Sequence, residues 1–332
     1  MGDNMRDNNF IIENNAKHLW HPMGAPGDSI NNPPKVITNA SGSQISDMDG
    51  HTTVDAVGGL WCVNLGYSNE AVKNAISEQL NHLPYYSGFA GTTNPAAIEA
   101  SYMVKEMFKA DGMEKVFFTS GGSDSVETCL RLSRQYHRLR GEPTRTKFIS
   151  LKKGYHGTHF GGASVNGNNR FRIAYEPLLP GCFHLPSPYT YRNPFNETDP
   201  QKLALNIAQT FEDEIAFQDK NTIAAFIMEP IQGAGGVIVP DPSFMGLMQE
   251  ICERNGILMI SDEVITGFGR TGSWSGARHW NVKPDMMSMA KGITSGYFPV
   301  GAALMSEKVA DVFENSNSPE AGIFHGYTYS AH

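Results

Sequence analysis

The sequence predicts an α/β fold: a mostly parallel central sheet with helices on both faces. Three observations carry that expectation. Short apolar runs recur at 116–118, 148–151, 223–228, 257–260, 286–289 and 300–305, and such runs read as strands buried on both sides. Stretches with apolar residues at helical spacing lie between several of them, so strands and helices alternate. The chain before residue 63 breaks this pattern and reads as part of a separate, smaller lobe.

Taken in order, residues 1–9 are polar and lack the basic start and apolar stretch of a signal peptide. Asn31-Asn32-Pro33-Pro34 is a loop. The runs at 36–38, 44–46 and 53–55, with turns at Ala40-Ser41-Gly42 and Asp49-Gly50, make a small meander. Two domains are therefore expected: residues 1–62 as the N-terminal piece of the small lobe, and 63–332 as the large domain. In the latter, Ala71, Val72, Ala75, Ile76 and Leu80 form a helical stripe that Ser68 or Asn69 can cap. Asn94-Pro95 opens a helix that runs to Lys109. Val126, Cys129, Leu130 and Ser133 mark one face of a helix ending before Gly141. Phe244, Leu247, Met248 and Ile251 stand at i, i+3, i+4 and i+7 of a helix that Gly256 ends. The stretch 153–200, rich in Gly, Pro, Asn and Tyr, is too long for a plain connector and reads as functional.

Composition narrows the function classes. The chain has 332 residues, 40% hydrophobic and 18% charged, enough for a large ordered core or two domains. A net charge of -8 gives no electrostatic reason to expect nucleic acid or an anionic membrane. No apolar run approaches the roughly 18 residues of a membrane span. Cys62, Cys129, Cys182 and Cys252 lie far apart without CxxC spacing, which fits reduced thiols in a cytoplasmic protein and no metal site.

The chemistry gathers at strand ends. The run at 257–260 leads through Ser261 into Asp262-Glu263-Val264, and 286–289 leads through Ala290 into Lys291-Gly292. The run at 116–118 leads into Thr119-Ser120-Gly121-Gly122-Ser123, which opens a helix. Parallel sheets bind ligands outside the carboxyl ends of their strands. Alone, each acid or lysine reads as an ordinary strand cap or ion pair, and Gly-Gly-Ser as a plain turn with a serine cap. Together they supply what pyridoxal phosphate (PLP) requires: an amine for a Schiff base, an acid for the ring nitrogen, and a helix N-terminus for the phosphate. Nucleotide binding is the poorer reading, because no GxGxxG follows a strand and the glycines at 233–236 lack a P-loop lysine. His156 and His159, three apart, lie among glycines that disfavour a helical metal pair. They suit a ligand-facing loop with Tyr155 as an aromatic platform. His18 and His21 read as polar packing or entrance residues.

Six segments carry a family resemblance: Leu-Trp-Cys-Val-Asn-Leu-Gly-Tyr at 60–67, Gly-Tyr-His-Gly at 154–157, Glu-Pro-Ile-Gln-Gly-Ala-Gly-Gly at 229–236, Asp-Glu-Val-Ile-Thr-Gly-Phe-Gly-Arg-Thr-Gly at 262–272, Ala-Lys-Gly at 290–292, and Gly-Tyr-Thr-Tyr-Ser-Ala-His at 326–332. In these the chain resembles the class III (subgroup II) aminotransferases of PLP fold type I, and most of all the omega-amino acid/amine:pyruvate branch. The resemblance implies roles. Lys291 holds the cofactor and moves the proton, and Asp262 pairs with the ring nitrogen. Tyr155 stacks on one ring face, Val264 packs on the other, and His156 lies in the same site. Gly121, Gly122 and Ser123 take the phosphate, Thr328 reaches the phosphate of a neighbouring subunit, and Glu229 orients Asp262. Trp61 and Phe89 are pocket walls, with core aromatics as the competing reading.

The implied protein is a homodimer with active sites at the interface, transferring an amino group to a keto acid by ping-pong turnover. A PLP aminomutase or epimerase shares every cofactor residue and stays open, as does a non-catalytic homologue. Two departures stand out: Gly121 where relatives commonly carry Ser, and Ile265 where 2-oxoglutarate users often carry Gln. The second favours pyruvate. Relatives continue for roughly another hundred residues, about one small domain. A truncated chain, lacking the C-terminal part of the small lobe, is accordingly expected.

Overall fold

A computed structural model describes residues 7–89, 91–330 and 332. Residues 1–6 of the polar start and Ala331 of the last motif lie outside the described residues. The chain divides into two compact units, Met1–Ala71 and Val72–His332.

The first unit holds helices Asn8–Asn14 and Pro26–Asn31 and an antiparallel sheet of β1 (Ile37–Ser41), β2 (Gln44–Asp47) and β3 (Thr52–Val54), in that order. This is the expected meander. Asp47 closes its second turn, one carboxylate oxygen accepting from the N–H groups of Asp49 at 3.0 Å and His51 at 2.9 Å.

The second unit is built on β4 (Met113–Thr119), β5 (Lys147–Leu151), β6 (Cys182–Leu185), β7 (Ile223–Met228), β8 (Leu258–Asp262), β9 (Met286–Met289) and β10 (Gly301–Ser306), ordered β4-β10-β9-β8-β7-β5-β6. The pairings from β9 through β6 are parallel, whereas β10 pairs antiparallel with both β4 and β9. The sheet is therefore mixed, with one reversed strand. Every residue of β7 is buried, and from Ala225 to Met228 its side chains alternate between two cores. Phe226 and Met228 join Leu203, Ile207, Phe211, Phe244 and Met248, from helices Pro200–Gln218 and Phe244–Asn255. Ala225 and Ile227 join Val126, Cys129 and Leu132 of helix Gly122–Leu139. Hence the near-continuous apolar runs.

Local chemistry sets the helix starts. Asn94 accepts from the N–H of Ala97 at 2.9 Å and Pro95 takes the first position of Pro95–Phe108. Asp199 does the same for Pro200–Gln218, accepting from Gln201 at 2.9 Å and Lys202 at 3.0 Å. That helix, strand β6 and the short helix Phe160–Val165 go beyond the sequence expectation, which treats 153–200 as loop. Because β4, β5, β7, β8 and β9 run in one direction, their carboxyl ends share one sheet edge. That edge presents the turn at 121–123, the loop at 154–157, Glu229, Asp262 and Lys291.

Candidate active site

Asp262 is the last residue of β8 and is buried. Its Oδ2 lies 2.8 Å from His156 Nδ1, and its Oδ1 accepts from the N–H of Val264 at 3.2 Å. A carboxylate only accepts, so His156 carries its proton on Nδ1. His156 is itself buried, and its Nε2 has no hydrogen-bond partner among the described residues. Its backbone N–H donates to Asn166 Oδ1 at 2.5 Å, while Asn166 Nδ2 donates to the Gly157 carbonyl at 2.9 Å. One amide thus ties the Tyr155–His156 peptide to the Gly157–Thr158 peptide. Nothing in the sequence singles out Asn166, which lies in the loop-rich stretch.

Glu229 follows β7. Its Oε1 accepts from the Tyr155 N–H and its Oε2 from the Gly233 N–H, both at 2.9 Å. Glu229 thus holds the backbone of Tyr155, and it is His156 that bonds Asp262 directly. Burial pushes the Glu229 carboxyl up to about 7; His156 opposes the shift and the neighbouring Asp262 adds to it. The Tyr155 ring meets Phe171 edge-on at 4.8 Å, and burial, then Asp262, raise its phenol above the ordinary value.

The glycine turn comes close to both loops. A side chain at Gly122 would begin 3.1 Å from a Val264 methyl. Gly157, at φ +94, leaves space that Ser123 fills, since a Cβ there would lie 2.7 Å from Ser123 Oγ. Ser123 Oγ accepts from the Thr158 N–H at 3.1 Å, so its own proton stays available to donate. Gly122–Leu139 starts at this point, and its first turn offers backbone N–H groups and the positive end of the helix dipole. Lys291 follows β9 in a 3-10 turn at φ +48, a left-handed backbone that costs energy in a residue with a Cβ.

These groups line one cavity of about 140 Å³, with Gly122, Ser123, Tyr155, His156, Asp262 and Lys291 on its wall and Glu229, Val264 and Ile265 beside them. Gly121 instead caps the helix in extended backbone. His159 turns to Asp124, 2.5 Å from its Oδ1. Phe89 lines a separate and larger groove of about 860 Å³ together with Phe117, Phe324 and His325; size alone does not mark the chemistry. Thr328 is exposed, and its carbonyl accepts from Tyr85 OH at 2.7 Å. Trp61 belongs to the first unit, where it ends the short turn Gly58–Trp61 at φ +57.

Residues 27–332 match the family Aminotransferase class-III. The chain is 38% identical over 298 residues to a putrescine–pyruvate aminotransferase of Pseudomonas aeruginosa, covering 90% of this chain and 64% of that one. It is 36% identical over 322 residues to an omega-aminotransferase of Caulobacter vibrioides, covering 96% and 72%. A PLP-bound amine transaminase from an uncultivated Pseudomonas species superimposes with a TM-score of 0.93 at 47% identity, over 95% of this chain and 71% of that one. An (S)-enantioselective omega-transaminase from Thermomicrobium roseum gives 0.94 at 34%, over 99% and 72%. The cofactor of this family is PLP, and the cavity fits it: a buried carboxylate with unused acceptor capacity, an amine, and a helix N-terminus stand around one space. Motifs, sheet order and cavity agree, and the chain belongs to the class-III aminotransferase family.

Proposed function

We propose that this protein transfers an amino group from an omega-amino acid or amine to a keto acid, with pyruvate the preferred acceptor. The observation that carries the reading is the buried Asp262 carboxylate, held by His156 at 2.8 Å in the same cavity as Lys291. PLP, when bound, supplies an electron sink that stabilises negative charge on the carbon losing a proton. Asp262 keeps negative charge beside the ring-nitrogen position, and His156 fixes the direction in which it is presented. Lys291 Nζ would hold the cofactor and would be the group that takes and returns the proton. Gly122 and Ser123 bind the phosphate through N–H groups and the free hydroxyl proton. Tyr155, tied at its N–H by Glu229, and Val264 confine the ring and keep water from the reacting carbon.

Ile265 supports the acceptor preference: it lines the cavity and brings no amide to it. The name of the Pseudomonas aeruginosa relative points the same way. A cytoplasmic homodimer belongs to this reading, with Thr328 serving the neighbour's phosphate. Exposed apolar residues on and near Pro95–Phe108 support it: Phe89 is 48% exposed, Tyr102 65% and Phe324 96%.

Borohydride reduction followed by peptide mapping tests the assignment. The pyridoxyl group is expected on Lys291, and an adduct on another lysine overturns it.

A further inference from the structure

The segment 320–327 lies along helix Gly122–Leu139 and is bound to it at four positions on one side. Arg138 pairs with Glu320 through two bonds of 2.7 Å, and Gln135 Nε2 donates to the Glu320 carbonyl at 2.7 Å. Further along, His325 Nε2 lies 2.8 Å from Thr128 Oγ1, and Tyr327 OH donates to the Asp124 carbonyl at 3.0 Å. Thr128 gives its single hydroxyl proton to that same Asp124 carbonyl at 2.8 Å. With the Thr128 proton on that carbonyl, the tautomer of His325 that suits the contact carries its proton on Nε2 and donates to Thr128. The His325 ring also stacks on Phe117 of β4 at 5.7 Å. Asp124 in turn holds the glycine turn from within, its Oδ2 accepting from the Ser120 N–H at 3.0 Å. The segment thus grips the strand before the turn and the first helical turn after it.

We infer that His325 and Tyr327 are positioning residues for the phosphate site, clamping β4 and the start of Gly122–Leu139 so that Gly122 and Ser123 keep a fixed presentation. Neither residue lines the Lys291 cavity; they act through Asp124 and Thr128. The inference rests on the proposed cofactor reading and deepens it.

The test is equilibrium binding of PLP and of pyridoxal, which lacks the phosphate, to full-chain apoprotein. Tyr327→Phe and His325→Leu should each weaken PLP binding by about threefold to tenfold, the size of one lost hydrogen bond. Pyridoxal binding should change less than about twofold by the same measure. His325→Gln, whose amide can still donate to Thr128, should restore most of the PLP affinity. Unchanged PLP affinity in both variants, with wild-type circular dichroism, overturns the clamp. So do equal losses for PLP and pyridoxal, which mark a general structural role. A wild-type protein that binds neither compound overturns the cofactor reading and the clamp together; one that binds PLP while its variants behave as wild type overturns the clamp alone.

Discussion

Asp262 and Glu263 are consecutive buried carboxylates at the end of β8, and their surroundings differ. Glu263 accepts four hydrogen bonds: Ser261 Oγ at 2.9 Å and the Ala277 N–H at 2.8 Å on Oε1, Thr266 Oγ1 at 2.5 Å and the Gly276 N–H at 2.7 Å on Oε2. That fills the acceptor sites of a carboxylate. Among the described residues Asp262 accepts from only His156 and Val264, and it lines the cavity. The filled carboxylate holds the fold and the half-filled one is left for a ligand. Burial alone does not distinguish them, because both are buried; the count of donors does.

Breaking the half-filled member has the largest expected effect. Asp262→Asn should retain PLP but lose a hundredfold or more in half-reaction rate, on the order of several kcal/mol of barrier. Stopped-flow spectra of the amine half-reaction measure it, and wild-type rates would remove Asp262 from the mechanism. Breaking the filled member should act on the fold instead. Glu263→Ala strands donors in the core and should cost about 3–5 kcal/mol of stability, read by denaturant unfolding.

Glu229 lies between these cases. Its folded carboxyl ionises near 7 rather than at the ordinary 4.5, so folding favours the protonated form. That contribution is full below about pH 4.5 and is lost as the pH rises towards 7. Glu229→Gln should be less stable overall, since it loses an acceptor, yet its melting temperature should vary less across that window. The wild-type change attributable to this group is at most about 3 kcal/mol. Parallel melting curves for the two proteins between pH 4.5 and 7 would refute the assignment. The smallest effect concerns the acceptor. Ile265→Gln should shift the ratio of kcat/KM for pyruvate over 2-oxoglutarate towards 2-oxoglutarate by about threefold to tenfold, one hydrogen bond's worth.

The sequence reading reached what depends on local pattern. Lys291 and Asp262 are legible because each ends an apolar run, and Asn94-Pro95 because capping is a matter of adjacent residues. Pairing across the chain is not legible: His156 and Asp262 meet only after β5 and β8 fold into one sheet. The bond from the Tyr155 N–H to Glu229 is illegible for the same reason. Strand direction is also silent in a period of two, so the reversal of β10 went unseen. Strand β6 was missed because His184 and Cys182 interrupt four residues with no apolar alternation. Helix Pro200–Gln218 did carry a signal, Asp199-Pro200 followed by Leu203, Ile207, Phe211 and Ile215, that the reading passed over.

The reversed β10 has a consequence for which ligands can fit. It lies between β4, which ends at the anion-binding turn, and β9, which ends at the amine. Neighbouring strands stand about 4.8 Å apart, so β4 and β9 are separated by two spacings, ~10 Å, yet the turn after β4 crosses that gap: a Cβ at Gly122 would lie 3.5 Å from the Cβ of Ala290, the residue before Lys291. The two motifs therefore converge on one cavity of about 140 Å³ across the reversed strand, and a ligand that meets both has to fit within it.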